Sequence, residues 1–124
     1  MEIITTENAP KALGPYSQAI KAGGFIWCSG LIPIDPAANA VTATTVEGQT
    51  RQAITNLKNV LEEGGFKMSD AVKVTCYLQD LANFGALNEV YAKFFSEPYP
   101  ARVAYQVAAL PKGAMVEVDI IAVK

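Results

Sequence analysis

The sequence predicts an α+β domain, a mixed β-sheet with two amphipathic helices packed on one of its faces. Three observations carry this. Two stretches, about Val46 to Glu63 and about Phe84 to Phe95, repeat apolar residues at the helical period. Two others, Ala71 to Leu78 and Met115 to Val123, alternate at the strand period. Charged residues make up only 18% of the chain, below the roughly 25% usual for soluble domains. Two helices cover one face of a sheet, so the other face, also apolar in part, predicts self-association.

The elements follow in order. Ile3 and Ile4 open a short strand that ends before Asn8-Ala9-Pro10, and Leu13-Gly14-Pro15-Tyr16 reads as a turn. Ser17 to Ala22 and Phe25 to Ser29 are strands of a hairpin around Gly23-Gly24. Pro33 to Asn39, with two prolines, reads as a loop. In the first helix Thr44 and Glu47 fit an S/T-x-x-E capping box, and Gly64-Gly65 stops it. Val72, Val74, Cys76 and Leu78 share one face of the next strand. Asn83 is placed to cap the second helix, whose apolar stripe is Phe84, Leu87, Val90, Tyr91, Phe94 and Phe95. Pro98 and Pro100 end it. Strands Arg102 to Ala109 and Met115 to Val123 then flank a turn at Leu110-Pro111-Lys112-Gly113. The order is β-β-β-α-β-α-β-β, and residues 1–124 read as one domain with no linker, repeat or low-complexity segment.

Composition excludes whole classes of chemistry. The chain has no histidine and two cysteines. Ser-His-Asp and Cys-His nucleophiles, histidine zinc sites and thiolate clusters are therefore out in their usual forms. Proton transfer near neutral pH falls to Glu, Asp, Cys, Tyr, Lys or water. A net charge of −2 without a basic stripe makes nucleic acid a poor partner. No apolar run spans a bilayer, and the acidic start Met1-Glu2 is unlike a secretory signal. Cys28 and Cys76 are expected as buried free thiols of a cytoplasmic protein, although sequence does not exclude a disulfide.

Arg102 is the first candidate for binding. It opens a strand beside Ala104, Gln106 and Ala108 on the same face, which leaves room for a carboxylate ligand on its planar fork. By position alone the plainer reading is a rim arginine in a surface ion pair. Glu117 shares a strand face with Asp119. Two acids in that register suit the polar face of an edge strand; buried at an interface, one of them becomes a candidate for holding a water. Gly14-Pro15-Tyr16 and Cys28-Ser29-Gly30 are turn-forming and unspecific alone. Gly23-Gly24 is no phosphate loop, since no such glycine spacing exists. Trp27, Tyr91, Phe94 and Phe95 read as core.

Together, Asn8-Ala9-Pro10, Gly14-Pro15-Tyr16-Ser17-Gln18-Ala19, Ser29-Gly30 and Asn88 to Tyr91 resemble the RidA/YjgF family of reactive intermediate deaminases. So, above all, does Pro100-Ala101-Arg102 through Val107-Ala108-Ala109-Leu110-Pro111-Lys112-Gly113 to Val116-Glu117-Val118. The resemblance runs the length of the chain. It implies a chorismate-mutase-like fold assembled as a homotrimer, its sheets forming a central barrel with a cleft at each subunit interface. It implies that Arg102 grips a substrate carboxylate and Glu117 orients or activates the attacking water, with Tyr16, Ser29, Gly30, Asn88 and Ala104 at the cleft. Some members carry cysteine where this chain has Ala104, and serine where it has Val103, so no essential thiol is expected. The implied substrates are 2-aminoacrylate and 2-aminocrotonate tautomers, hydrolysed to 2-keto acids and ammonia.

The inventory suits that chemistry. An iminium carbon is already electrophilic, so water adds without metal or cofactor, and the protein supplies orientation and charge matching. Two other readings stand beside it. One keeps the same cleft in a binding protein that senses a 2-keto acid or amino-acid metabolite. The other, which the resemblance brings with it, is a ribonuclease or translation inhibitor, against which the acidic balance and missing histidine both argue.

Overall fold

A computed structural model describes every residue from Met1 to Lys124. Its strands are β1 (Glu2–Ile4), β2 (Ala19–Ala22), β3 (Phe25–Cys28), β4 (Ile34–Asp35), β5 (Ala40–Val41), β6 (Ala71–Leu78), β7 (Ala101–Gln106) and β8 (Val116–Val123). The helices are α1 (Val46–Glu63) and α2 (Phe84–Phe94). Six strands form the main sheet in the order β1-β2-β3-β8-β6-β7. Only β6 and β7 run parallel, because the chain between them is spent on α2, the crossover that parallel neighbours need. Both helices lie on one face of a mixed sheet, as expected.

The β2–β3 turn is the hairpin that the sequence marks. Gly23 and Gly24 both take positive φ, 60° and 82°, which a two-residue turn matching strand twist requires. The stretch read as a loop instead holds a small separate hairpin, β4 with β5, in which Ile34 faces Val41. Asp35 Oδ1 accepts from the Ala37 amide at 3.0 Å, so Pro36 sits inside the turn and does not break the pairing. Strand β7 is shorter than expected: it ends at Gln106, level with the end of β6 at Leu78, and the Val107 amide donates the last bond of that ladder to the Leu78 carbonyl.

The cap of α1 is Thr45, one residue later than the capping box suggests. Its Oγ1 accepts from Gly48 N at 3.0 Å from an extended backbone, which satisfies one orphan amide. The apolar stripe of Ala53, Ile54, Leu57, Val60 and Leu61 is fully buried. Gly64 ends the helix against β3, where a Cβ would lie 2.6 Å from Ile26 Cδ1. At α2 the entry differs from expectation, for Asn83 makes no capping bond. Asp80 Oδ1 takes the Ala82 amide at 2.9 Å and a 3₁₀ turn, Leu81–Asn83, leads into the helix. The chain is already extended at Phe95, which stays in the core by stacking on Tyr91 at 4.4 Å.

Polar residues inside the fold are its fasteners. Gln18 donates to the Thr6 and Pro10 carbonyls and accepts from the Thr6 amide, tying the N-terminal segment to the sheet. Gln49 and Asn56 of α1 bind the Met115 amide and the Ile34 carbonyl. Losing such a partner leaves a buried group unpaired, at about 1–3 kcal/mol.

The two faces of the sheet differ sharply. Ile26, Val74, Leu78, Val116, Val118 and Ile120 are fully buried under the helices. The opposite face carries Trp27, Val103 and Tyr105, which are 48%, 39% and 44% exposed. That is an apolar surface with nothing from the same chain over it. No helix is long and apolar enough to cross a membrane.

Candidate functional site

Arg102 pairs in register with Val74, which puts its side chain on the helix side of the sheet. Strand β7 is the sheet edge, so the guanidinium emerges at the margin where α2 overhangs it. Phe84, Asn88 and Tyr91 stand at i, i+4 and i+7 on α2 and therefore share one helix face. The guanidinium carbon lies 5.1 Å from the Phe84 ring centre and 4.7 Å from that of Tyr91. Such contacts are worth about 0.5–1 kcal/mol each at exposed sites. Arg102 Nη1 donates to Asn88 Oδ1 at 2.7 Å. No acid pairs with it, since the ion pairs in the structure are Lys21–Glu2 and Lys58–Glu62. The plain reading of a rim ion pair is therefore excluded, and the remaining N–H groups are available to a ligand. They face a cavity of about 490 Å³ lined by Asn88, Tyr91, Ala92, Tyr99, Pro100 and Arg102.

Ala104 lies two residues along the same strand face, beside Cys76 of β6. The Cys76 thiol is fully buried and is pushed up to about 11, by burial first and against a smaller lowering pull from Arg102. Cys28 is half-buried, and burial followed by the Asp119 charge pushes it up to about 12. Both cysteines are free thiols, and neither is a thiolate near neutral pH.

Glu117 pairs with Tyr77 on the open face of the sheet. Its carboxylate packs on the loop after β3, where a Cβ on Gly30 would stand 2.5 Å from Glu117 Oε2. Gly30 is held there by Leu31, whose amide and carbonyl both bond Val118. Burial, and secondarily the Asp119 charge, raises the Glu117 carboxyl above its ordinary value. The surrounding cavity, about 250 Å³, also takes in Tyr16, Lys11 and Lys112. The Ser29 hydroxyl is occupied, donating to the Ser17 carbonyl at 2.6 Å, and so braces the loop that carries Gly30.

The structure therefore gathers the predicted residues into two groups. Arg102, Asn88 and Ala104 form one, and Glu117, Gly30, Ser29 and Tyr16 the other. Arg102 aligns with Val74 and Glu117 with Tyr77, and β6 lies between their strands. Strand geometry then separates their backbones by ~10 Å along and ~10 Å across the sheet, with the side chains on opposite faces. One chain alone does not bring the arginine to the glutamate.

Sequence reasoning missed the clamp. Phe84 and Tyr91 read as core, although their spacing with Asn88 marks a common face. The Tyr77 hydroxyl, which donates to Asp119 Oδ2 at 2.7 Å, went unassigned. No group of three or more Cys, Asp or Glu side chains is placed to hold a metal ion.

A family model described as Endoribonuclease L-PSP matches residues 6–124. A RutC family protein of Pyrococcus horikoshii is 50% identical over 123 residues, covering 99% of this chain and 98% of that protein. A 2-iminobutanoate/2-iminopropanoate deaminase of Capra hircus is 44% identical over 122 residues, covering 98% of this chain and 89% of that protein. Among solved structures, E. coli TdcF with bound serine superposes with a TM-score of 0.95 at 38% identity, covering 100% of this chain and 99% of that one.

Proposed function

The chain belongs to the endoribonuclease L-PSP family, that of RidA and YjgF, and we propose that it hydrolyses reactive imines and enamines to 2-keto acids and ammonia. The observation that carries this is Arg102, a guanidinium clamped by Phe84, Asn88 and Tyr91 with its remaining fork directed to a cavity and no acid of its own. A small 2-imino acid offers the carboxylate that fork would bind. Glu117 then serves as the proton carrier. It takes a proton as water oxygen bonds to the iminium carbon and returns it to nitrogen. It then takes the remaining hydroxyl proton as the C–N bond breaks and the carbonyl forms, and passes that proton to the departing ammonia. An iminium and water become a ketone and ammonium, with no proton left over and no metal or cofactor called on.

The two groups of residues meet only if a neighbouring copy supplies one of them. We infer a homotrimer in which the open faces with Trp27, Val103 and Tyr105 pack together and each cleft takes Arg102 from one subunit and Glu117 from the next. The names of deaminase relatives support the reaction. A charge balance of 10 basic to 12 acidic residues favours a small carboxylate over RNA. TdcF with bound serine keeps a second reading alive, a cleft that binds amino or keto acids without turning them over.

One experiment tests both reaction and geometry. Arg102→Ala and Glu117→Gln are each expected to lose activity by about 10²-fold or more. Co-refolded in equal amounts, random trimers should regain about a quarter of wild-type sites, because a site is intact wherever an unmutated arginine meets an unmutated glutamate. Activity is read as keto-acid release from an imine that a dehydratase generates from an amino acid. No recovery on mixing would rule out a cleft shared between subunits, and wild-type protein without turnover would leave the binding reading.

A further inference from the structure

Asp119 is not needed by the reaction as drawn, yet it is built into the same face. It follows Glu117 by two residues on β8, so the side chains stand ~7 Å apart on one side of the strand. Tyr77, the register partner of Glu117, reaches diagonally past it to donate to Asp119 Oδ2 at 2.7 Å. The Tyr77 ring is braced edge-on by Tyr105 of β7, with centres 5.4 Å apart and planes at 85°. The carboxylate beside Glu117 is thus held by a hydroxyl that is itself held.

Other charged and titratable groups approach Glu117 from the elements packed around it. Tyr77 comes from β6, Lys11 and Tyr16 from the N-terminal segment, and Lys112 from the turn before β8. Neither lysine pairs with Glu117 within ion-pair distance. Of the charges nearby, only that of Asp119 is fixed by a side-chain hydrogen bond.

We propose that Asp119, held by Tyr77, is a positioning residue whose fixed negative charge keeps Glu117 able both to accept and to return the proton of the hydrolytic water. This rests on the reading of Glu117 as the proton carrier. Asp119 itself gains and loses no proton, and no bond to it forms or breaks. Burial and the Asp119 charge both disfavour the ionised Glu117 carboxyl, so it is a stronger base than an ordinary glutamate.

The test is a titration of the Glu117 carboxyl by ¹³C NMR in the assembled protein, its signal assigned by loss in Glu117→Gln, alongside the acid limb of kcat/KM. Asp119→Asn should lower the Glu117 midpoint and shift the acid limb to lower pH by about half a unit, with plateau kcat falling and KM little changed. Asp119→Glu, which keeps the charge, should restore the midpoint most of the way. Tyr77→Phe, which keeps the braced ring but frees the carboxylate, should give a smaller shift in the same direction, and it serves if Asp119→Asn does not fold. An unchanged or raised midpoint in Asp119→Asn or Tyr77→Phe overturns the proposal. Normal turnover in Glu117→Gln overturns the underlying reading instead.

Discussion

The Arg102 and Glu117 ends of the candidate site are built by opposite means. Arg102 sits on an exposed edge strand and is positioned by side chains, two ring faces and one amide on a single helix face. Glu117 sits on a central strand and is positioned by backbone, packed so closely on Gly30 that a methyl group would not fit. The difference suits the chemistry that the proposed reaction would ask of each. A guanidinium stays charged at any working pH, so it needs direction alone. A carboxylate that must move a proton needs partial desolvation, which a close-packed loop provides and an open margin does not. The two ends should therefore fail differently when mutated.

The largest loss is expected at Arg102. Two charge-assisted bonds to a carboxylate, about 1.5–3 kcal/mol each, correspond to roughly 10²–10⁴ in kcat/KM for Arg102→Ala. Arg102→Lys should fall within a few-fold of the alanine variant, because lysine can neither stack between Phe84 and Tyr91 nor offer a planar fork. Steady-state kinetics that leave most of the activity in the lysine variant would reduce the clamp to a mere holder of charge.

Next comes Gly30→Ala. Gly30 does not take a left-handed backbone angle, so alanine is conformationally acceptable there and only its methyl acts. That methyl must displace the Glu117 carboxylate. We expect kcat to fall toward the level of Glu117→Gln, about 10²-fold, with KM nearly unchanged since Arg102 is untouched. A rise in KM with kcat intact would instead place Gly30 among the groups that bind substrate in the ground state.

Asn88 should matter less, and in a telling order. Removing its carbonyl in Asn88→Ala frees one edge of the guanidinium but leaves both rings, a loss of about tenfold carried mainly by KM. Asn88→Asp should be worse than alanine, because a carboxylate there occupies the fork that substrate needs. The reverse order in kinetic assays would mean that Asn88 touches substrate directly.

What the sequence made legible was whatever period and local chemistry control. Helical period placed α1 and α2, alternation placed β6 and β8, and Gly23-Gly24 fixed the hairpin between β2 and β3. The β4–β5 hairpin stayed hidden because two-residue strands carry no period and their prolines signal a loop. The shift of the α1 cap from Thr44 to Thr45 lies beyond pattern reading, since both threonines suit the role and packing chooses between them. Both acids of β8 were placed on one face correctly. That Glu117 and Arg102 fall on opposite faces was not legible, because it depends on which strands pair and in what register. The clamp was hidden for a related reason: Phe84 and Tyr91 satisfy a core stripe and an arginine platform with the same spacing.

The smallest effect is expected at Cys76, and it separates the arginine end from any thiol chemistry. Cys76 lies one strand away from Ala104, the position where some relatives carry cysteine, and thus close to the Arg102 cavity. A thiol there invites a nucleophilic role, but burial argues against one. With no exposed surface and a thiol pushed up to about 11, well under one molecule in a thousand carries a thiolate at pH 7. Arg102 pulls in the activating direction and loses to desolvation. Cys76→Ala should leave kcat and KM within about twofold and lower stability by about 1 kcal/mol, the cost of a small cavity in a packed core. Native protein should also resist iodoacetamide at pH 7, and alkylate only when unfolded. A Cys76→Ala variant that folds and assembles yet loses tenfold or more in turnover would bring the thiol into the site, and the arginine end would no longer act by direction alone.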